Sequence, residues 1–377
     1  MASRERPKGR AGGAPRDAVP PDAIPGAAAR RGSRPRSAPP NGAIPQRALG
    51  SRGREWATIS ALQALLAEVP AAATATRTVF GIGDDAAVLE TPRGARLVWT
   101  VDACLEGVHF RSDWLSFADV GWRATQAAVS DVAAMGARPV AALCHLTLPS
   151  TVTPAELRKI GQGQAEASRA LGCPVIGGNV ASGAQLEVVT TVLGEVPGGA
   201  SALERAGARA GDEVWLLGDV GRAAAGLRCL ELGLPARGTL RSCVEAWRRP
   251  QAQVAAGLEL QGRAHACLDV SDGLAGDAAH LADASGVSIV FEAARIDALA
   301  RPLLAFEARL ERTARELVLW GGEDYALLAA GPAARRPSAA LVLGRCESGA
   351  GVWLDEGTRR KRLTGGFQHL TAPRPTR

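Results

Sequence analysis

Aspartates recur in this chain beside small-residue turns. The clearest case is Phe80-Gly-Ile-Gly-Asp-Asp-Ala-Ala-Val-Leu89: apolar residues lead into glycines, two adjacent carboxylates follow, and an apolar run resumes. Acid-bearing turns come again at Thr100-Val-Asp102, Val129-Ser-Asp131, Asp269-Val-Ser-Asp272 and Gly321-Gly-Glu-Asp324. Hard oxygen ligands of this kind suit Mg2+, which carboxylates and substrate phosphates hold jointly. The Gly81/Gly83 and Gly177/Gly178 turns can offer backbone N–H groups to phosphate. Together they point to nucleotide phosphoryl chemistry with several magnesium ions. Each acid also has a plainer reading: Asp131 as a helical surface acid, Asp272 as a cap before Gly273, Glu323 and Asp324 as solvated turn residues. Recurrence along the chain favours the shared role.

Other chemistries are excluded by what is missing. The lysines are Lys8, Lys159 and Lys361, and none follows a glycine loop, so there is no Walker-type phosphate loop. There is no kinase-type catalytic loop, no G-x-S-x-G and no H-E-x-x-H. The five histidines lack paired spacing and the seven cysteines form no C-x-x-C pair, which speaks against zinc and against a disulfide framework. The cysteines read as small buried hydrophobes of a reducing, cytoplasmic compartment.

The elements that must position the acids follow from apolar spacing. Trp56 to Val69 has helical periodicity. Leu97-Val-Trp-Thr-Val101 reads as a buried strand ending at Asp102, with Glu106 to Phe110 a loop or short strand. Val120 to Met135 reads as a helix stopping at Gly136, and its small residues allow close packing against a sheet. Val140 to Leu148 is a strand. Thr153-Pro-Ala-Glu156 starts a helix that runs to about Leu171. Pro174 to Asn179 reads as a short strand opening into a glycine turn, and Leu186 to Val196 as a strand. Pro197-Gly-Gly-Ala200 breaks the pattern and is the expected domain boundary. Beyond it, strands are expected at 211–217, 266–270, 287–291, 325–329 and 340–343, with helices at 223–232, 251–260, 273–284 and 299–313. Strands and helices mix in both halves, which gives two α/β domains.

The net charge of +6 is unevenly spread. Residues 1–54 hold twelve Arg or Lys against three acids, so the remainder is mildly acidic. That segment is rich in Arg, Pro, Ala and Gly without apolar periodicity and is expected to be a disordered basic tail. Nucleic-acid binding by it is the lesser expectation. No apolar stretch has the length and purity of a membrane span. The expected organisation is 1–54 tail, 55–197 N-terminal ATP/Mg-binding and dimerisation domain, 198–370 C-terminal α/β domain, and 371–377 disordered end.

Several strings resemble the ordered motifs of thiamine-monophosphate kinases: Gly81-Ile-Gly-Asp-Asp-Ala-Ala87, Thr100 to Phe110, Val129 to Pro139, Val175-Ile-Gly-Gly-Asn179, Asp269-Val-Ser-Asp-Gly-Leu274 and Gly321-Gly-Glu-Asp-Tyr325. The likeness spans roughly 56–370. Its Glu106-Gly-Val-His-Phe110 segment sets it apart from related families. The resemblance implies ATP-dependent phosphorylation of thiamine monophosphate to thiamine diphosphate with Mg2+. It also implies the two-domain fold shared with aminoimidazole ribonucleotide synthetase, and a homodimer paired through the N-terminal domains. By motif position it implies Asp85, Thr100, Asp102, Asp131, Asp269 and Asp272 as magnesium ligands. Gly178 and Asn179 would lie at ATP and a metal, Arg205 and Ser271 at ATP, and His109, Glu323 and Phe367 at the thiamine phosphate. Trp320 and Phe367 are the aromatic surfaces on offer to the thiamine rings.

The chain departs from the family in places. Val101 stands where a hydroxyl residue is common, so a metal contact there is either lost or made by the backbone. Asn179 is neutral where many members carry Asp, and Ala326 follows Tyr325 where an acid is frequent. The attacking group would be a phosphate monoester, whose second pKa is about 6, so no general base is required. Divalent ions would instead screen repulsion between two anionic phosphates. Asp131 and Asp102 would be essential through metal. The alternatives are a selenophosphate or aminoimidazole ribonucleotide synthetase, and a catalytically weak sensor that binds the same ligands.

Overall fold

The computed structural model describes residues 76–367 together with Ile59, Leu62, Gln63 and Leu66. The helix expected over Trp56 to Val69 lies mostly outside the described residues, and the four described positions within it are helical. The tail, residues 1–54, and the end, 371–377, lie outside them.

Two mixed sheets carry the fold. The first holds β1 (Arg77–Phe80), β2 (Ala87–Glu90), β3 (Arg96–Leu105), β4 (Arg138–Leu148), β5 (Val175–Ser182) and β6 (Glu187–Glu195) in the order β1-β2-β3-β6-β4-β5. Only its β4–β5 pair is parallel. The second holds β7 (Glu213–Leu217), β8 (Ala266–Val270), β9 (Val287–Glu292), β10 (Ala326–Gly331), β11 (Leu341–Ser348), β12 (Gly351–Asp355) and β13 (Arg360–Leu363). Its order is β13-β12-β9-β11-β7-β10-β8, with β9–β12 parallel.

The helices are α1 (Phe117–Ala134), α2 (Pro154–Leu171), α3 (Arg222–Glu231), α4 (Thr239–Arg248), α5 (Val254–Leu260), α6 (Leu274–Ser285), α7 (Ala293–Ala300) and α8 (Ala314–Trp320). Central among them is α1, which packs on β3 and β6 of the first sheet, on β8 of the second, and on α2 and α5. It starts before Val120 because Ser116 and Asp119 form a capping box, each bonding the other's backbone N–H. Thr153 and Glu156 do the same for α2, with Pro154 in its first turn. The two helices cross on glycine: a Cβ on Gly163 would stand 1.8 Å from the Ala118 carbonyl oxygen, and one on Gly121 2.1 Å from that of Ile160.

Some elements differ from expectation. The strand thought to stop at Asp102 continues to Leu105, because β6 pairs with it along its whole length. The glycine turn expected at Gly177/Gly178 does not form. There β5 runs on through Ser182 in a ladder with β4. Glycine serves close approach instead, since a Cβ on Gly178 would lie 1.7 Å from the Cys144 carbonyl oxygen. The helix α4 was not anticipated. The expected 299–313 helix is interrupted: between α7 and α8 lie a 3-10 segment, Arg301–Phe306, and a four-residue helix, Glu307–Leu310.

Candidate active site

Alternation along β3 decides which of its residues face inward. Val98 and Thr100 are buried, while Trp99 and Val101 are exposed on the other face. Asp102 shares the inward side with Thr100. The last turn of α1 lies over that side and presents Ser130 and Asp131. The Thr100 hydroxyl donates to Asp131 Oδ2 at 2.5 Å. The Ser130 hydroxyl donates to Asp269 Oδ2 at 2.7 Å, tying α1 to β8 of the second sheet. Asp85, from the turn before β2, completes the cluster: Asp85, Asp131 and Asp269 each offer a ligand atom within 4.8 Å of the others.

Such crowding of carboxylates is unfavourable alone. Burial, then the charges of Asp269, Asp85 and Asp102, hold Asp131 well above the usual carboxylate range. Burial and then Asp85 push Asp269 up to about 7, against the help of the Ser130 hydroxyl. Asp85 Oδ2 is buried and takes no hydrogen bond from the described residues. An orphaned carboxylate oxygen beside two reluctant carboxylates is a donor set that fits Mg2+.

Arg205, on the segment linking the sheets, closes one side. Its guanidinium pairs with Asp85, and its backbone N–H donates to Asp84 Oδ2 at 3.1 Å. Burial first, then Asp85, raises Asp84 to about 7. Asp272 joins a second group with Asp277 and His280, again with ligand atoms within 4.8 Å. Asp272 does not cap α6, whose N-cap is Gly273; its own backbone N–H donates to Asp277 Oδ2 at 3.1 Å. Burial, followed by Asp272 and Asp269, raises Asp277 well above its ordinary value. Sequence reasoning missed Asp277 and His280. The readable signal was their i, i+3 spacing on one helix face just after Asp272.

The remaining expected residues are spread around this centre. Val101 points its side chain to the outer face, away from Asp131, because neighbours in a strand alternate; as an apolar group on the far side it brings nothing to the cluster. Gly178 lies in the row Asp102–Thr190–Cys144–Gly178. That is three strand spacings from Asp102, about 14 Å. Asn179 beside it contacts His145 Nδ1 at 3.2 Å, so neither joins the acids within one chain. His109 sits in the turn after β3 with Nδ1 accepting the Leu105 N–H at 3.0 Å. Ser271 lends its carbonyl oxygen to the Glu323 N–H at 2.8 Å. The Phe367 N–H donates to the Asp272 carbonyl oxygen at 3.1 Å, which ties an exposed ring to the second acid group. Trp320 donates its indole N–H to the Thr364 carbonyl oxygen and packs partly against the core. Asp324, whose plainer reading was a solvated turn acid, caps the start of α3 by accepting from the N–H groups of Gly221 and Ala223. A cavity of 980 Å³ includes Asp324, Arg222, Arg241 and Arg249 and none of the acid cluster.

Two sheets joined across α1, with acids from both converging beneath it, define a class. Residues 83–196 match the family "AIR synthase related protein, N-terminal domain" and 209–321 match its C-terminal counterpart. The chain therefore belongs to the AIR synthase-related proteins, and its fold is theirs. Within that class it is 34% identical over 277 residues to a thiamine-monophosphate kinase of Aquifex aeolicus, covering 73% of this chain and 89% of that one. It is 35% identical over 252 residues to the thiamine-monophosphate kinase of Bacillus subtilis, covering 66% and 76%. A solved structure described as AaThiL complexed with AMPPCP and TMP superposes with a TM-score of 0.73 at 28% identity, covering 85% of this chain and 100% of that one. The chain belongs to the thiamine-monophosphate kinase family.

Proposed function

We propose that this protein transfers the terminal phosphoryl group of ATP to thiamine monophosphate, giving thiamine diphosphate by direct in-line displacement with several Mg2+ ions. The observation that carries this reading is the convergence of Asp85, Asp131 and Asp269, from separate segments, on one point where a buried carboxylate oxygen has no hydrogen-bond partner among the described residues. The relatives bearing the kinase name, and the solved structure holding an ATP analogue with TMP, support the choice of substrates.

Asp85, Asp131 and Asp269 would hold Mg2+, with Asp102 and Thr100 beside them and Asp272 in the adjoining group. Bound there, the metal supplies charge neutralisation between the two anionic phosphates. The chain's own residues do the rest. Thr100 and Ser130 fix the carboxylates by donating hydroxyl hydrogens. Arg205 and Ser271 stand where nucleotide phosphates would meet the acids, and His109, Glu323 and Phe367 border the acceptor. No side chain need act as a base, since the acceptor phosphate is mostly ionised at neutral pH. A homodimer formed through the first sheet belongs to the same reading: Trp99, Val101 and Leu143 leave an apolar patch on its outer face. The place of action would be the cytoplasm; no helix of the described residues is long and apolar enough to cross a membrane.

Phosphorus NMR with ATP and Mg2+, offering thiamine and thiamine monophosphate in separate tubes, tests the assignment. Thiamine diphosphate is expected from the monophosphate alone. Product from free thiamine alone would mean a different kinase, and binding without product in either tube a sensor. Asp131→Asn is expected to abolish turnover while leaving the fold intact, since it relieves repulsion.

A further inference from the structure

A fully buried arginine lies outside the acid cluster and has no part in holding metal. Arg123, on α1, is 1% exposed. Its guanidinium lies over the Trp247 ring at 4.8 Å from the centroid, donates to the Trp247 carbonyl oxygen, and pairs with Glu323 Oε2. The same Oε2 accepts the Tyr325 hydroxyl at 3.1 Å. The ion pair and the hydrogen bond thus fall on one oxygen, and Arg123 Nη2 makes no hydrogen bond of its own among the described residues. Glu323 Oε1 takes no hydrogen bond from the described residues, and the Glu323 side chain keeps 25% of its surface. A carboxylate fixed at one oxygen and open at the other is shaped to receive an external N–H donor or cation.

The backbone around Glu323 is held against its preference. Glu323 has φ +63° and Tyr325 φ +52°, left-handed values at residues that carry side chains. Conformations like these are unfavourable for residues with side chains and persist where surroundings over-determine them. Here the Glu323 and Tyr325 N–H groups bond to the carbonyl oxygens of Ser271 and Val270, and Asp324 is locked onto α3. A buried ion pair is poor value as a stabiliser, because an apolar residue of similar size commonly serves as well. Strain and a buried charge meeting at one carboxylate point to function.

We propose that Arg123 is a positioning residue for Glu323. It holds Oε2 in place and aims Oε1 at the acceptor, whose thiamine moiety offers a cationic thiazolium and an aminopyrimidine N–H donor. This rests on the kinase reading above. It assigns to α1, which also presents Asp131, the alignment of the acceptor with the metal-bound donor.

A double-mutant cycle on the full chain tests it, with Arg123→Lys, Glu323→Gln and the combination. Lysine retains the charge but cannot reach both Glu323 and the Trp247 carbonyl as a fork, so it folds without stranding a carboxylate. Arg123→Lys is expected to raise KM for thiamine monophosphate about 3- to 10-fold, with kcat and KM for ATP changed less than about 2-fold. Glu323→Gln is expected to raise the same KM further, and the double variant to match Glu323→Gln alone, because coupled residues are not additive. Multiplying effects, or equal changes in both KM values, would overturn the positioning role. Arg123→Met carries a second check: Glu323 is part-exposed and can rehydrate, so the variant should fold and show the larger loss of affinity for the acceptor. Wild-type protein that turns over no thiamine monophosphate would remove the kinase reading and this inference with it, whereas an active wild type with an additive cycle would remove only the inference.

Discussion

At the scale of single residues, the site is a cluster of crowded carboxylates whose charge the proposed Mg2+ would offset. Asp269 is held near 7 and Asp131 above the ordinary range, both chiefly by burial. Protons therefore bind the folded form more tightly than the unfolded one. For Asp269, stability is present at low pH, below the ordinary carboxylate value of 3.8, and is lost as pH rises through about 7, and Asp131 acts in the same direction. The metal-free protein is expected to melt at falling temperature from pH 5 to pH 8. Added Mg2+ should raise the melting temperature more at pH 8 than at pH 5, since it replaces the protons there. Scanning fluorimetry at the two pH values, with and without Mg2+, reads this directly. A metal response that is equal at both would mean the acids do not form the cation site. The acids themselves were legible because Asp beside Gly or Ser is an unusual repeat. Their true partners, Ser130 on Asp269 and Arg123 on Glu323, were not. Each pair joins positions far apart in sequence, and no local pattern records such a meeting.

At the scale of elements, local signals were readable where the sequence carries its own punctuation. Thr153-Pro-Ala-Glu156 announced α2, and the structure shows that capping box closed. Helix α4 has equally clear spacing in Leu240, Cys243, Val244 and Trp247, all buried, yet it follows a loop with no capping side chain at Gly238 to mark its start. The glycines misled for a physical reason. Gly177 and Gly178 suggest a turn, but glycine also serves where two backbones come close, and there the neighbouring strand decides. The α1–α2 crossing shows that use most clearly. A Gly163→Ala substitution places a methyl group 1.8 Å from the Ala118 carbonyl oxygen, a contact no flexible side chain can relieve. The helices must part, at a cost of about 1–3 kcal/mol or more. Because α1 carries Arg123, Ser130 and Asp131, turnover should fall with stability. Urea unfolding of Gly163→Ala at the wild-type midpoint would show slack between the helices that the packing does not contain.

At the scale of the whole molecule, the first sheet has one face too many for a chain acting alone. Helices α1 and α2 serve its inner side. The outer side carries Trp99 at 51% exposure, Val101 at 65% and Leu143 at 45%. Val101 and Leu143 lie in one row on either side of Thr191, two strands apart and on the same face. Apolar surface on a water-facing sheet is a common mark of an interface, and in the homodimer proposed above a second copy of the same chain would supply the self-complementary partner that two-fold pairing requires. Asn179 adds a functional reason. The family resemblance puts it at ATP and a metal, while its own sheet keeps it strands away from Asp102. Val101→Asp with Leu143→Asp plants like charges on that face without touching the inner side. Light scattering after size exclusion should then fall from roughly twice 38.9 kDa to 38.9 kDa. Wild-type protein already running as a 38.9 kDa species would dismiss the pairing. Turnover that survives in a monomeric double variant would show that Asn179 does not reach the acids from a second copy, and that the residues gathered beneath α1 suffice for phosphoryl transfer.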